Sequence, residues 1–229
     1  MKTILFLLFA GWYALPAQTQ EVSITAKGTY TTGTRFLYNV DRPQSYDNGR
    51  VLSSNFGYGA DIRWKVLWER FYLGVSFEKI EGTETFQMYV PELDYLLVPY
   101  EEGFQLTAIE ISGFYVVPIS SEKVQFYLGG GFGLYDGDRS NSIASATSAT
   151  TGTTSNIGMH VLTGIDYRVA PHVAVRGELK FRDPHFNVRT KFDQPSVEYQ
   201  GKLVSLPDES TTTVNLYGVN YMLGLEFQL

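Results

Sequence analysis

Along eight stretches of this chain apolar residues alternate with polar ones, and every charge in those stretches falls on one side of the alternation. A period of two is the mark of a strand with two unlike faces. The first stretch sets Val22, Ile24, Ala26, Gly28 and Tyr30 against Ser23, Thr25, Lys27 and Thr29. The second sets Phe56, Tyr58, Ala60, Ile62 and Trp64 against Gly57, Gly59, Asp61 and Arg63. The pattern returns at 71–77, 108–117, 124–134, 157–167, 173–181 and 217–229. Its charges are Lys27, Asp61, Arg63, Glu110, Asp166, Arg176, Glu178, Lys180 and Glu226, all on the polar faces. A lysine or arginine turned to lipid near the bilayer midplane costs ~2–4 kcal/mol, so a membrane would enforce this exclusion. A soluble sandwich also alternates, but its polar face usually carries more charge.

The connections give direction to the strands. They alternate long (33–54), short (65–70), long (79–103), short (118–123), long (136–156), short (169–172) and long (183–213). Outer-membrane barrels have an even number of antiparallel strands, short periplasmic turns and longer external loops. The expected fold is therefore all-β: an antiparallel up-and-down transmembrane β-barrel of eight strands, or ten to twelve if the long external hairpins join the wall. Trp64, Phe71, Tyr115, Tyr167 and Phe227 then fall near the periplasmic rim. Tyr30, Phe56, Phe77, Phe132, Phe181 and Tyr217 fall near the outer one, making two interfacial aromatic girdles.

The first residues have another purpose. Lys2 precedes an uncharged apolar run at 4–15, followed by Pro16 and Ala17. The run is too short to span a bilayer as a helix, and its flanks fit a secretory signal. The reading is a signal peptide at 1–17, cleaved on export, and a barrel domain at 18–229 in the outer membrane of a Gram-negative cell envelope. With 18 Lys and Arg against 24 Asp and Glu, the chain has no basic surplus for a nucleic-acid partner. Zero cysteine removes disulfides, thiolate zinc sites and a cysteine nucleophile. No cofactor and no metal are expected.

Particular segments resemble a known family. The glycine-rich run 126–135, FYLGGGFGLY, looks like a strand of the small OmpA/OmpX-like outer-membrane barrels. Segments 164–168 (GIDYR) and 175–182 (VRGELKFR) look like that family's closing hairpin. The ending Tyr221, Leu223, Leu225, Phe227, Leu229 is similar to the C-terminal signal read by the barrel-assembly machinery, although that signal usually ends in an aromatic residue. The resemblance covers the barrel domain only, with no peptidoglycan-binding domain, and is nearly silent on activity. It implies outer-membrane lipid and lipopolysaccharide as surroundings and the barrel-assembly machinery as a partner.

An eight-stranded barrel is just wide enough to be filled by side chains. Four basic and five acidic lumen residues are close to balance, which reads as a plug of paired charges; a gated narrow pore is the competing reading. If 169–172 is a turn, Asp166 lies across from Arg176 and His160 across from Arg182. Ser112 falls near His160 inside the lumen. The stretch His185-Phe186-Asn187 is only loosely like the His-x-Ser of lipid A deacylases, and its serine is missing. Asp136-Gly137-Asp138-Arg139-Ser140-Asn141 has calcium-like oxygen spacing without the distal Glu of an EF-hand, and reads as a polar hairpin tip.

The external loops carry more information. Segment 79–103 combines six acidic residues with Phe86, Tyr89, Tyr95 and Tyr100, the candidate contacts for an extracellular protein partner. Stretches 85–90 and 95–98 are expected to form a projecting hairpin, as are 186–192 and 197–206. Segment 136–156, rich in Ser, Thr, Ala and Gly, reads as mobile. The functional expectation is a structural or surface-interaction protein, not an enzyme. A narrow channel for small or apolar solutes is the alternative, and a lipid-modifying enzyme the distant third.

Overall fold

A computed structural model describes residues 21–38, 49–53, 55–66, 69–90 and 96–229. In chain order the strands begin with β1 (Val22–Thr31), β2 (Thr34–Tyr38), β3 (Gly49–Leu52), β4 (Asn55–Lys65) and β5 (Phe71–Val90). There follow β6 (Leu96–Val116), β7 (Val124–Ile143), β8 (Ala146–Thr154), β9 (Asn156–Ala170) and β10 (Val173–Arg182). The last are β11 (His185–Phe192), β12 (Ser196–Tyr199), β13 (Lys202–Ser205), β14 (Ser210–Asn215) and β15 (Val219–Gln228).

Eight of these, in the order β4-β1-β15-β10-β9-β7-β6-β5, form a closed antiparallel wall, with β4 pairing β5 to complete the circle. Closure brings the chain's end back to its first strand: β1 lies against β15, and the Leu229 amide donates to the Val22 carbonyl at 2.9 Å. Full closure removes unpaired backbone from the hydrocarbon, which a membrane demands. Side chains on the wall's outer face are apolar and exposed, among them Phe56, Ile111, Phe132, Met159 and Leu223. Tyr30 meets Phe56 and Tyr221 near the outer rim, at ring-centroid distances of 5.2 and 6.4 Å.

β5, β6 and β7 do not stop at the membrane. Above it they join β8, β11, β14, β2 and β3 in a second sheet that continues the wall. Here the alternation reverses its polarity. Within the membrane segment, inward residues are mostly charged or polar, around a small cluster of Phe114, Tyr127 and Leu162, and outward ones are apolar. Beyond Lys79, Thr107 and Asp136 the inward residues become apolar. Ile80, Phe104, Leu106, Tyr135, Phe186, Val188, Val214, Phe36 and Leu52 form one buried core. A second, more distal core gathers Val98, Ile143, Phe192, Val197, Val204 and Leu206. The reversal follows the solvent: lipid surrounds the lower wall and water the upper.

The membrane wall has the expected eight strands, because the long connections add their strands above it instead of widening it. Two other loop expectations are corrected. Stretches 186–192 and 197–206 do not pair with one another: β11 lies between β8 and β14, and β12 pairs β13 as a separate hairpin. Segment 136–156 is not a mobile tip but the upper part of β7 and all of β8, because its Arg139, Asn141 and Ile143 turn inward onto buried partners. The signal segment 1–17 and part of 33–54 lie outside the described residues.

Candidate functional site

The lumen is built from inward positions of all eight wall strands. Lys27, Asp61, Arg63, Glu110, Asp166, Arg176, Glu178, Lys180 and Glu226 are all buried there. Glu78 and Arg182 join them, two residues outside the strand limits read from sequence. The alternation itself carried the signal, since Ser76 and Glu78 share a face with each other, as do Lys180 and Arg182.

At the periplasmic side Arg176 is the hub. Its Nε and Nη2 donate to the two carboxylate oxygens of Asp166 at 2.7 and 2.9 Å. Nη2 also reaches Glu226 at 2.5 Å, and Nη1 reaches Thr25 at 2.7 Å and Asp61 at 3.1 Å. Arg63 pairs with Glu178 and donates to Asp61 at 3.0 Å. Its guanidinium lies over the Phe114 ring, 3.8 Å from the centroid. Lys27 bridges Asp61 and Glu78 at 3.3 and 3.2 Å. The uppermost layer joins Lys180 and Arg182 to Glu78 and Glu110. Tyr135 donates to Glu110 at 2.8 Å.

Removing an ion from water costs several kcal/mol, and attraction offsets this only when geometry is good and further hydrogen bonds satisfy the remaining atoms. Each carboxylate of the core has at least one cation in contact, and most of their oxygens also accept hydrogen bonds; Asp61 Oδ2 and Glu178 Oε2 are held by the Lys27 charge alone. Among these side chains lies a cavity of about 10 Å³ lined by Lys27, Asp61, Arg63, Ser76, Ser112 and Glu178 among others. That is room for about one water. The lumen is a packed, charge-paired interior and not an open channel.

Glycines make the aromatic part of this packing fit. A Cβ at Gly164 would stand 2.3 Å from the Tyr127 ring, and one at Gly133 would stand 2.7 Å from the Tyr135 ring. Tyr127 uses that space to donate to Glu178 at 2.7 Å.

A separate polar island sits between the two apolar cores above the membrane. Glu102 pairs with Arg139 and accepts from Tyr38 at 2.8 Å and from Tyr100. Arg139 also donates to Thr190 at 3.1 Å. These contacts tie β2, β6, β7 and β11 together through the interior. Burial, and then the charge of Glu102, push the Tyr100 phenol up to about 12. Tyr38 is raised for the same reasons, while Arg139 is raised by its hydrogen bond and charge contact with Glu102 despite its burial.

The four aromatic loop residues separate. Tyr100 is buried in this island and presents no surface. Phe86 packs inward on both apolar cores, under the Arg50 guanidinium at 4.6 Å. Tyr89 is 64% exposed, directly across the ladder from exposed Leu97. Tyr95 lies outside the described residues. The terminal residues Tyr221, Leu223, Leu225 and Phe227 all face lipid, and Leu229 is exposed just past the strand end.

Chemistry expected elsewhere can now be placed. The 136–141 oxygens do not converge, because the stretch is mid-strand: Arg139 and Asn141 point inward while Asp136, Asp138 and Ser140 point out. Among the described residues no group of three or more His, Cys, Asp or Glu could hold a metal ion. Ser112 Oγ and His160 Nε2 are 2.7 Å apart, but inside the packed lumen. His185 is exposed, while its neighbour Phe186 is in the first apolar core.

No protein-family model matches this chain, and no curated protein matches it in sequence. Solved structures do resemble it. The outer membrane protein OprG from Pseudomonas aeruginosa aligns over 92% of this chain and 95% of its own, at 11% identity and a TM-score of 0.62. Neisserial surface protein A aligns over 91% and 97%, at 14% identity and 0.48. Ail, the attachment invasion locus protein of Yersinia pestis, aligns over 93% and 100%, at 10% identity and 0.48. At such identities the likeness to OprG is one of fold. The chain is an eight-stranded transmembrane β-barrel of the outer-membrane type.

Proposed function

We propose that this protein is a sealed outer-membrane barrel whose business is conducted at its outer surface, as a structural or surface-interaction protein. The observation that carries this reading is the lumen itself, where interlocked buried ion pairs enclose a cavity with room for about one water. A second seal of apolar side chains lies above it. The part open to partners is the extracellular sheet, with Tyr89 and Leu97 at its distal end.

Several narrower statements belong to the same proposal. The 1–17 segment directs export and is cleaved, and 18–229 is the mature barrel of an OmpA/OmpX-like protein. Its last strand, through Tyr221, Leu223, Leu225, Phe227 and Leu229, is presented to the barrel-assembly machinery. Lipopolysaccharide and phospholipid surround the wall, and an extracellular protein is the partner of the loops. Lipid chemistry at Ser112 and His160 is disfavoured by their burial, since lipid reaches only the outer face.

The test is single-channel recording of the refolded protein in a planar bilayer at neutral pH, with insertion checked independently. Silence of inserted protein is the expected result. Discrete, reproducible conductance steps would instead establish the narrow-channel alternative.

A further inference from the structure

One lipid-facing glycine of the wall is not called for by the wall's own packing. Gly28 stands between Tyr58 of β4 and Leu223 of β15, and both ladders run past it without a bulge. A Cβ there would meet no atom within 4 Å. The matching positions elsewhere are covered: Phe71 lies 3.1 Å from the Cβ site of Gly113, and Val161 and Ile165 lie 3.6 Å from those of Gly130 and Gly177. Glycine weakens a strand interior, and without a bulge or bend to explain it, it marks a close approach from outside the strand. On the outer face of a membrane barrel, what approaches is a lipid chain.

The chain rises from this hollow to the outer rim. Tyr30 meets Phe56 and Tyr221, and the Tyr217 ring lies 3.4 Å from the Cβ site of Gly33. Exposed Arg35 stands above, its guanidinium 5.5 Å from the Tyr217 ring centroid. Lys27, Arg63, Arg176, Lys180 and Arg182 each hold a carboxylate inside the lumen, whereas Arg35 has no carboxylate partner among the described residues. The ring takes one face of the guanidinium and leaves its N–H edge, a fork that matches the oxygens of a phosphate. Glu81, the carboxylate in the ladder row of Tyr30 and Phe56, is two strands away from Tyr30.

We propose that Arg35, the rim of Tyr30, Tyr217 and Tyr221, and the hollow at Gly28 together hold one lipopolysaccharide molecule by its lipid A. Arg35 takes a phosphate, the tyrosine rings lie at headgroup level, and one acyl chain fills the hollow. The cation sits at the extracellular end of the wall, which selects lipopolysaccharide of the outer leaflet over phospholipid of the inner one. This rests on the reading that lipopolysaccharide surrounds the wall, and adds where one molecule is held.

The test is native mass spectrometry of the refolded protein in mixed micelles, titrated with lipid A in competition with phosphatidylglycerol. Wild type is expected to retain one lipid A in preference to the phospholipid. Arg35→Ala should weaken that retention about tenfold, the scale of a hydrogen bond to a charged group, and Arg35→Lys should weaken it less. With dephosphorylated lipid A, wild type and Arg35→Ala should bind alike. Gly28→Leu fills the hollow and leaves every charge in place, so it should weaken retention by a separate route. Arg189→Ala removes an exposed arginine higher on β11 and should change nothing. Equal retention of lipid A by wild type and Arg35→Ala, or of the two lipids by wild type, overturns the site alone. Failure of wild type to retain either lipid overturns the site and the wider reading together.

Discussion

Arg176 stands directly across the β9–β10 ladder from Asp166, and its guanidinium closes on both oxygens of that carboxylate. The same side chain also holds Glu226 and Asp61, so one cation serves three carboxylates. Arg176→Ala therefore strands two buried carboxylates at once, Asp166 and Glu226, while Asp61 keeps Lys27 and Arg63. The expected loss is about 3–5 kcal/mol in unfolding free energy, the range for breaking a buried pair. Arg176→Lys, which keeps the charge but loses the planar fork, should lie between. Urea unfolding of vesicle-inserted protein measures both, and an unchanged midpoint for the alanine variant would show that the hub is not structural.

The outward face obeys a different rule. Leu223, in the middle of β15, is 68% exposed and faces lipid. Leu223→Arg should cost ~2–4 kcal/mol, while a change of similar polarity outside the bilayer should cost much less. Thr107→Arg, at the level where the alternation reverses, is the matched comparison. Equal losses for the two variants would contradict the placement of the membrane.

The membrane-embedded half was legible because lipid and lumen impose one simple pattern on every strand. Pairings such as Asp166 with Arg176 and His160 with Arg182 followed from a turn and a count. The upper half was not legible from the same rule. At Ile80, Leu106 and Tyr135 the apolar set moves to the inner face without any break in the ladder, and a reader following one face sees the strand end. Glu78 was lost at that edge, and Arg182, though placed across from His160, was left out of the lumen charges. The partners of the Glu102–Arg139 pair were beyond reach for another reason: Tyr38 and Thr190 come from strands whose pairing depends on the long connections, which carry no local register signal.

Gly164 and Tyr127 form a matched pair across the β7–β9 ladder. With a methyl group 2.3 Å from the ring, Gly164→Ala forces Tyr127 to shift and weakens its bond to Glu178. Overpacking of this kind costs roughly 1–3 kcal/mol. Tyr127→Leu removes the clash, so the double variant should be less destabilised than the sum of the singles. Additivity in a double-mutant cycle would dismiss the pairing.

The exported protein should begin at Gln18. Intact-mass measurement of protein extracted from outer membranes tests this directly. A mass retaining residues 1–17 would mean the apolar run is kept as an anchor, and Ala17→Arg, which spoils the small-residue cleavage position, should then have no effect.

The polar island above the membrane can be titrated without disturbing the lumen. Tyr100 is raised to about 12, by burial first and by the charge of Glu102 second. A phenol whose folded value lies above its unfolded value of about 10 contributes stability that is fully present below pH 10. That contribution disappears as pH climbs through about 12. Glu102→Gln removes the anion that helps hold the phenol neutral, so phenolate absorbance should appear at lower pH. It also leaves Arg139 buried without its carboxylate, at a cost of about 3–5 kcal/mol. Because the island ties β2, β6, β7 and β11, hydrogen exchange should quicken in the upper parts of those strands. The membrane-embedded amides should keep their protection, since the lumen network shares no side chain with the island. Uniform acceleration over the whole wall, or none anywhere, would show that the upper sheet is not held by this contact.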